Sequence, residues 1–372
     1  MEYIEKNRDE FNTLLKTLTE TPSWTGGEKA RADFCYRYLS DLGYDKISID
    51  TAGNVICEFN IRDDRNNICF IAHLDTVFSE EVDFTIKKKD GKLYCPGIGD
   101  NTANVTGLLI LAKYIKDNNI TPECGIYFVL STGEEGLGNL IGSRTFTEKY
   151  KEKIKSFIAL DLYYDKIFDT CVGSIRYDVN IKTEGGHSYL AFGKKNAIAV
   201  LSEIISKVYS GDFNLKDLTY NVGNIKGGTT VNTIAASASM LFEFRSLRSD
   251  MMKEADRKFR DLLKSYISDE VDISVDVIGL RPCAEEVDRD EMEEMVSSAK
   301  AAIIESNLKE PEITSASTDC NIPLSYSIPS ICFGVCEGGN AHSLNEWITE
   351  KSNIKGIEVL FRFFRKYVLK EK

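Results

Sequence analysis

Short apolar runs recur along the chain: NVICEF at 54–59, NICFIAHLD at 67–75, ECGIYFVLST at 123–132, KSFIALDL at 155–162 and PSICFGV at 329–335. Runs this short, bounded by Gly, Pro, Asn and Asp, predict strands covered on both faces. Between them lie segments with apolar residues at helical spacing. Two helices with a Pro/Gly break are expected over 7–45, and single helices over 101–119, 289–306 and 353–370. Strand–helix–strand alternation predicts an α/β layer built on a mostly parallel sheet.

The texture changes near residue 169. GSIRYDVNIKTEG alternates apolar and polar residues, as a half-exposed antiparallel strand does. A helix over 196–210, strands over 219–228 and 233–247, a helix over 251–267 and a strand over 271–280 follow. This is a β-α-β-β-α-β unit of domain size. The simplest organisation is an α+β domain, 169–282, inserted into a catalytic α/β domain made of 1–168 and 283–372. A chain of 372 residues has room for both.

The net charge of −12 argues against nucleic acid and anionic membrane as partners, since both attract basic surfaces. No run of apolar residues is long enough to span a bilayer. The opening MEYIEKNRDEF is charged and lacks the apolar core of a secretory signal, which suggests a cytoplasmic protein. In that compartment the 10 cysteines, several of them in apolar runs, are expected to be reduced and buried.

Three histidines occur, His73, His187 and His342, each beside Gly, Asp or Glu at the edge of an element. In a strand, residues i and i+2 share a face, so His73 and Asp75 point the same way. A metal-bound imidazole usually gives its other N–H to a carboxylate, which suits His73 as ligand and Asp75 as its orienter. A core histidine beside a helix-capping aspartate is the plain alternative. Asp100, in PGIGDNTANV, stands where a helix N-cap would, after a Gly-rich approach that lets backbone come close to a ligand. STGEEGLGN places Glu134 and Glu135 just past a buried strand, where ligands of α/β sheets bind. Adjacent carboxylates repel unless a cation lies between them; one can bind metal while the other acts as general base. Asp161 ends a further strand, and His342 lies in the Gly-rich loop after PSICFGV. The charges balance as well: Asp100, Glu135, Asp161 and a bridging hydroxide would offset two divalent ions. Nitrogen and oxygen donors without thiolate suit zinc, with cobalt or manganese as alternatives.

The motifs HLDTV, GIGDNTANV, GEEGLGNLIGSR, GGHS, GGTTVNTI, FRS, STDCNIPLSYSIPS and GGNAHSLNEW span Ile71 to Trp347. In this order they resemble the dinuclear-zinc metallopeptidase and deacylase family that includes aminotripeptidase (peptidase T), carboxypeptidase G, aminoacylase and succinyl-diaminopimelate desuccinylase. The resemblance implies that His73 and Asp161 bind one metal, that Glu135 and His342 bind the other, and that Asp100 bridges both. It makes Asp75 the orienter of His73, and Glu134 the general base that activates a metal-bridging water and later acts as acid. His187 would help stabilise the oxyanion from an inserted domain serving as lid and dimer contact, in its own or a partner's site. Asn232, Arg245 and Gly339 match positions that hold substrate. For His187 a turn residue is the plain alternative. For Arg245 it is a cross-strand ion pair, because alternation puts Glu243 on the same face. Asp319 matches a signature position without an evident physical role.

The sequence departs from the family at two places. Asn101–Asn104 replace the Lys-Gly or Lys-Ala pair common after the bridging aspartate, at positions that shape the helix start. Phe78 stands where Pro is frequent. An aspartate at the Asp161 position goes with peptidases in the resemblance group, and the C-terminal motifs look most like the aminotripeptidase branch. The expectation is therefore hydrolysis of short peptides by a homodimer, with an N-acyl amino-acid deacylase as runner-up. A non-catalytic relative would be expected to lack Glu134, His187 or a ligand, and all are present.

Overall fold

The apolar runs become the middle of an eight-stranded sheet, in the order Ile47–Ile49, Val55–Phe59, Gly125–Ser131, Asn67–His73, Ile154–Leu160, Ser330–Phe333, Lys166–Cys171, Glu312–Ala316. The four strands from Gly125–Ser131 to Ser330–Phe333 run parallel. Every residue of Asn67–His73 and of Gly125–Ser131 is buried, which is why these strands are continuously apolar. Antiparallel pairs flank this centre, with Val55–Phe59 on one side and Lys166–Cys171 on the other. The computed structural model describes residues 2–371. It divides into two compact units, Met1–Cys171 with Glu285–Lys372, and Val172–Ala284.

In the first unit the expected helices form as Arg8–Thr19, Lys29–Asp41, Asn104–Asp117, Arg289–Glu305 and Ser352–Phe363. They bury Phe11, Leu108, Ile303 and Leu360 in one core with the sheet residues Phe70, Phe128 and Ile158. Each such side chain contributes roughly 1.5–3 kcal/mol of transfer free energy. All ten cysteines are buried. Among the described residues no helix is long and apolar enough to cross a membrane.

Three features differ from the expectation. Lys166–Cys171 and Glu312–Ala316 are strands that periodicity did not reveal; they are the last two strands on one side of the sheet, with Glu312–Ala316 at the edge, are partly exposed and carry Lys, Asp, Glu and Thr. IRDDRN, between Val55–Phe59 and Asn67–His73, reads as a turn joining neighbouring strands, yet Gly125–Ser131 lies between them. The helix after Asp100 begins only at Asn104, so Asp100 is not its cap.

The second unit is a four-stranded antiparallel sheet, ordered Leu218–Gly227, Ser237–Ser246, Gly173–Thr183, Val271–Arg281. Alternate residues Tyr177, Val179 and Ile181 join Phe242 and Phe244 against Leu201 and Ile204 of helix Ala197–Lys207 and Phe259 and Leu263 of helix Ser249–Tyr266. This is the β-α-β-β-α-β order that the alternation predicts.

Candidate active site

Neighbouring parallel strands end side by side, and their C-terminal ends deliver the polar groups. His73 closes Asn67–His73, Glu134 and Glu135 follow Gly125–Ser131, and Asp161 follows Ile154–Leu160. His342 comes from the loop between Gly338–Gly339 and Trp347–Thr349, and Asp100 from the turn Ile98–Ala103. Three sets have donor atoms all within 4.8 Å of one another: His73, Asp100 and Asp161; Asp100, Glu135 and His342; and His73, Glu134 and Glu135. The first two sets share Asp100. His73 Nε2 is 3.2 Å from Asp100 Oδ1 and 3.5 Å from Asp161 Oδ1. His342 Nε2 is 3.2 Å from Asp100 Oδ2 and 2.9 Å from Glu135 Oε1.

Asp75 organises this edge from behind. The Nδ1 of His73 is 3.0 Å from the backbone carbonyl of Asp75 and 3.5 Å from its carboxylate. The carboxylate itself accepts the N–H groups of Glu134 (3.1 Å) and Glu135 (3.0 Å) and the hydroxyl of Thr25 (2.9 Å). It therefore holds the two glutamates as much as the histidine. Glu28 adds a further brace, accepting the N–H groups of Gly26 and Gly133.

The electrostatics are those of buried carboxylates short of counter-charge. Burial, then the Asp100 charge, raises the pKa of Asp161; burial also raises that of Glu135. Burial acts on Asp100 in the same direction, but the imidazoles of His342 and His73 close to its carboxylate outweigh it and lower its pKa. Burial pulls the His73 imidazole down, yet Asp100 and Asp161 lift it well above its ordinary value. Asp100 and Glu135 raise His342 to about 11. The two imidazoles are the ion-pair partners of Asp100, Glu135 and Asp161 among the described residues.

Several groups that hold the site escaped sequence reasoning. Glu346 is fully buried, and its carboxylate accepts three backbone N–H groups of the Asp100 loop. Burial and the Asp100 charge push it up to about 8 despite those bonds. Asn101 donates to the carbonyl of Leu160 (3.0 Å). Asn104 donates to those of Gly99 (3.2 Å) and Leu162 (3.1 Å) and accepts the N–H of Val335 (2.8 Å). The asparagines that replace the Lys-Gly pair thus tie the Asp100 turn to two strand ends. Asp319 is also buried: its Oδ2 accepts the Ser131 hydroxyl at 2.7 Å, and Oδ1 has no hydrogen-bond partner among the described residues. Ser131 is the register partner of His73, which places Asp319 behind the site.

His187, Asn232 and Arg245 belong to the second unit. His187 is exposed; it pairs with Thr233, and its Nδ1 accepts the N–H groups of Tyr189 (3.3 Å) and Leu190 (3.4 Å). The carbonyl of Asn232 accepts the N–H of Ser188 at 3.0 Å, so these two candidate residues are neighbours. Arg245 makes a two-pronged ion pair with Glu243 at 2.9 and 3.1 Å. The pair lies within the strand Ser237–Ser246, not across strands as expected; the cross-strand partner of Glu243 is Arg176, at 3.4 Å. Gly339 pairs with Trp347 in the loop that carries His342.

Comparison with known proteins places this arrangement. The uncharacterized protein YqjE of Bacillus subtilis is 27% identical over 384 residues, covering 95% of each chain. A tripeptidase structure from Staphylococcus aureus superposes with a TM-score of 0.80 at 21% identity, covering 98% of this chain and 99% of that one. The M20 family metallo-carboxypeptidase Sso-CP2 from Sulfolobus solfataricus does so with a TM-score of 0.80 at 17% identity, covering 97% and 99%. Residues 69–366 match Peptidase family M20/M25/M40, and the chain belongs to that family of metal-dependent hydrolases.

Proposed function

We propose that this chain hydrolyses the amide bonds of short peptides with two divalent ions, held by His73 and Asp161 on one side, Glu135 and His342 on the other, and Asp100 between them. The observation that carries the reading is the sharing of Asp100 by two donor triads. The donor set fits such ions. His73 Nε2 is buried and faces two carboxylates without a hydrogen bond of acceptable geometry to either. Ligands gathered round a common ion are left like this. The donors are nitrogen and oxygen, which makes zinc the first choice.

Bound there, the ions would polarise the scissile carbonyl and make water more acidic. The chain's own residues do the rest. Asp75 keeps His73 and the Glu134–Glu135 backbone in register. Glu134 takes the proton of the attacking water and hands it to the leaving amine. His187 has its Nδ1 engaged by backbone N–H groups, so its Nε2 carries the proton and can meet the developing oxyanion. In this reading the second unit is the lid and the contact of a homodimer, and substrate is held by its Asn232 and Arg245 together with Gly339 of the first unit.

The test is a hydrolysis screen of zinc- or cobalt-loaded protein. It offers di- and tripeptides with free N-termini beside N-acetyl and N-succinyl amino acids, with a chelator control. Chelator-sensitive cleavage of the free peptides is expected. Cleavage confined to the acylated set would make the chain a deacylase instead.

A further inference from the structure

Glu346 belongs to none of the three donor sets, yet it is fully buried and uses both carboxylate oxygens on one loop. Oε2 accepts the N–H of Gly97 at 2.7 Å, and Oε1 accepts those of Gly99 and Asp100 at 2.8 Å each. The loop needs such a partner. Asp100, at φ −109° and ψ 88°, is not helical, so no helical ladder can take up these N–H groups. The main chain of Glu346 adds two ties: its carbonyl accepts the N–H of Cys95 and its N–H bonds the carbonyl of Ser343, both at 3.1 Å.

Four residues earlier stands His342, whose Nε2 is 3.2 Å from Asp100 Oδ2. One short stretch of chain therefore grips Asp100 twice, at its backbone through Glu346 and at its side chain through His342. Among the described residues no Lys or Arg forms an ion pair with Glu346. A buried carboxylate without a cation is costly, and a neutral side chain would avoid that cost. What a carboxylate offers in return is acceptor capacity at both oxygens, matched here to three donors.

We propose that Glu346 is a positioning residue that sets the placement of Asp100 against His342 and thereby the affinity and coordination of the bound ions. It touches no reacting atom. This rests on the reading that Asp100 and His342 hold metal.

Glu346→Gln tests it. Glutamine keeps the size but turns an NH2 group toward at least one of the N–H donors. The readouts are Co2+ affinity by chelator competition, the visible spectrum of the Co2+ protein, and the metal-free thermal midpoint. Binding of both ions weaker by about 10–100-fold, with an altered spectrum, is expected. Wild-type affinity together with an unaltered spectrum would overturn the proposal, even if the thermal midpoint fell, because that pattern belongs to a loop staple alone. Should that variant not fold, Glu346→Asp, which keeps the charge on a shorter stem, is read by the same Co2+ affinity and spectrum: weaker binding with an altered spectrum supports the proposal, and wild-type values overturn it. A wild-type protein that binds no Co2+ would instead refute the proposed function.

Discussion

The carboxylate of Asp75 accepts the backbone N–H of Glu134 at 3.1 Å, so the residue two positions past His73 also fixes the proposed general base. Its second oxygen does the same for Glu135. Asp75→Asn retains one acceptor oxygen and sets a donor against the other N–H. The expected result is a loss of about 10–100-fold in metal affinity together with a lower kcat. Chelator competition and steady-state kinetics check it, and wild-type values for both would remove Asp75 from this role.

Glu134→Gln separates chemistry from binding. Glu134 belongs to neither of the triads that share Asp100. The variant should bind two ions as the wild type does, by elemental analysis, while kcat falls by about 10²–10⁴-fold. Retained activity would mean that another group moves the proton.

His342→Ala and His73→Ala should each lower metal content, because each imidazole belongs to one of the two triads that share Asp100. In the wild type, removing the metal leaves Asp100, Glu135 and Asp161 facing one another with two imidazoles for relief. Metal at 100 times its Kd should therefore raise the unfolding free energy by about 2.7 kcal/mol over chelator-treated protein. Unchanged stoichiometry in both variants, or thermal midpoints indifferent to chelator, would contradict the assignment.

Asp319 gives a pH-dependent prediction for the metal-free chain. Burial raises its pKa to about 6 in the folded state. A carboxyl raised on folding contributes its full stability below its ordinary pKa of about 4, and that contribution is lost as pH rises through the folded value. Asp319→Asn removes the charge and leaves an oxygen to accept from Ser131. Its advantage over wild type should grow across this window and reach about 3 kcal/mol at most above it. Urea unfolding at low and neutral pH reads this directly; a difference that does not change with pH would count against it.

Much of this was legible in the sequence because the informative residues sit where local rules are strong. The central strands are apolar throughout since both faces are covered, and His73, Glu134, Glu135 and Asp161 lie at or just past their C-terminal ends. The strands Lys166–Cys171 and Glu312–Ala316 left no such trace, because both are partly exposed and so need no apolar run. Asp100 looked like a helix cap because a cap and a turn before a helix share the same residues; its actual partners are hundreds of positions away or on other strand ends. Glu346 and Asn104 were invisible for the same reason. A hydrogen bond to a distant backbone N–H has no periodicity.

The strand Ser330–Phe333 lies between Ile154–Leu160 and Lys166–Cys171, although it is made long after either. A ribosome that has released only the first half of the chain has released a sheet that stops at Ile154–Leu160, while Lys166–Cys171 has neither of its partners, Ser330–Phe333 and Glu312–Ala316. The outer side of Ile154–Leu160 is then an unpaired edge, a surface prone to capture a stray strand. The sheet is completed only when the segment after residue 284 arrives, and the same segment brings His342 and Glu346. Completion of the sheet and completion of the proposed metal centre are one late event of synthesis, so a chain truncated before it would be both inactive and sticky.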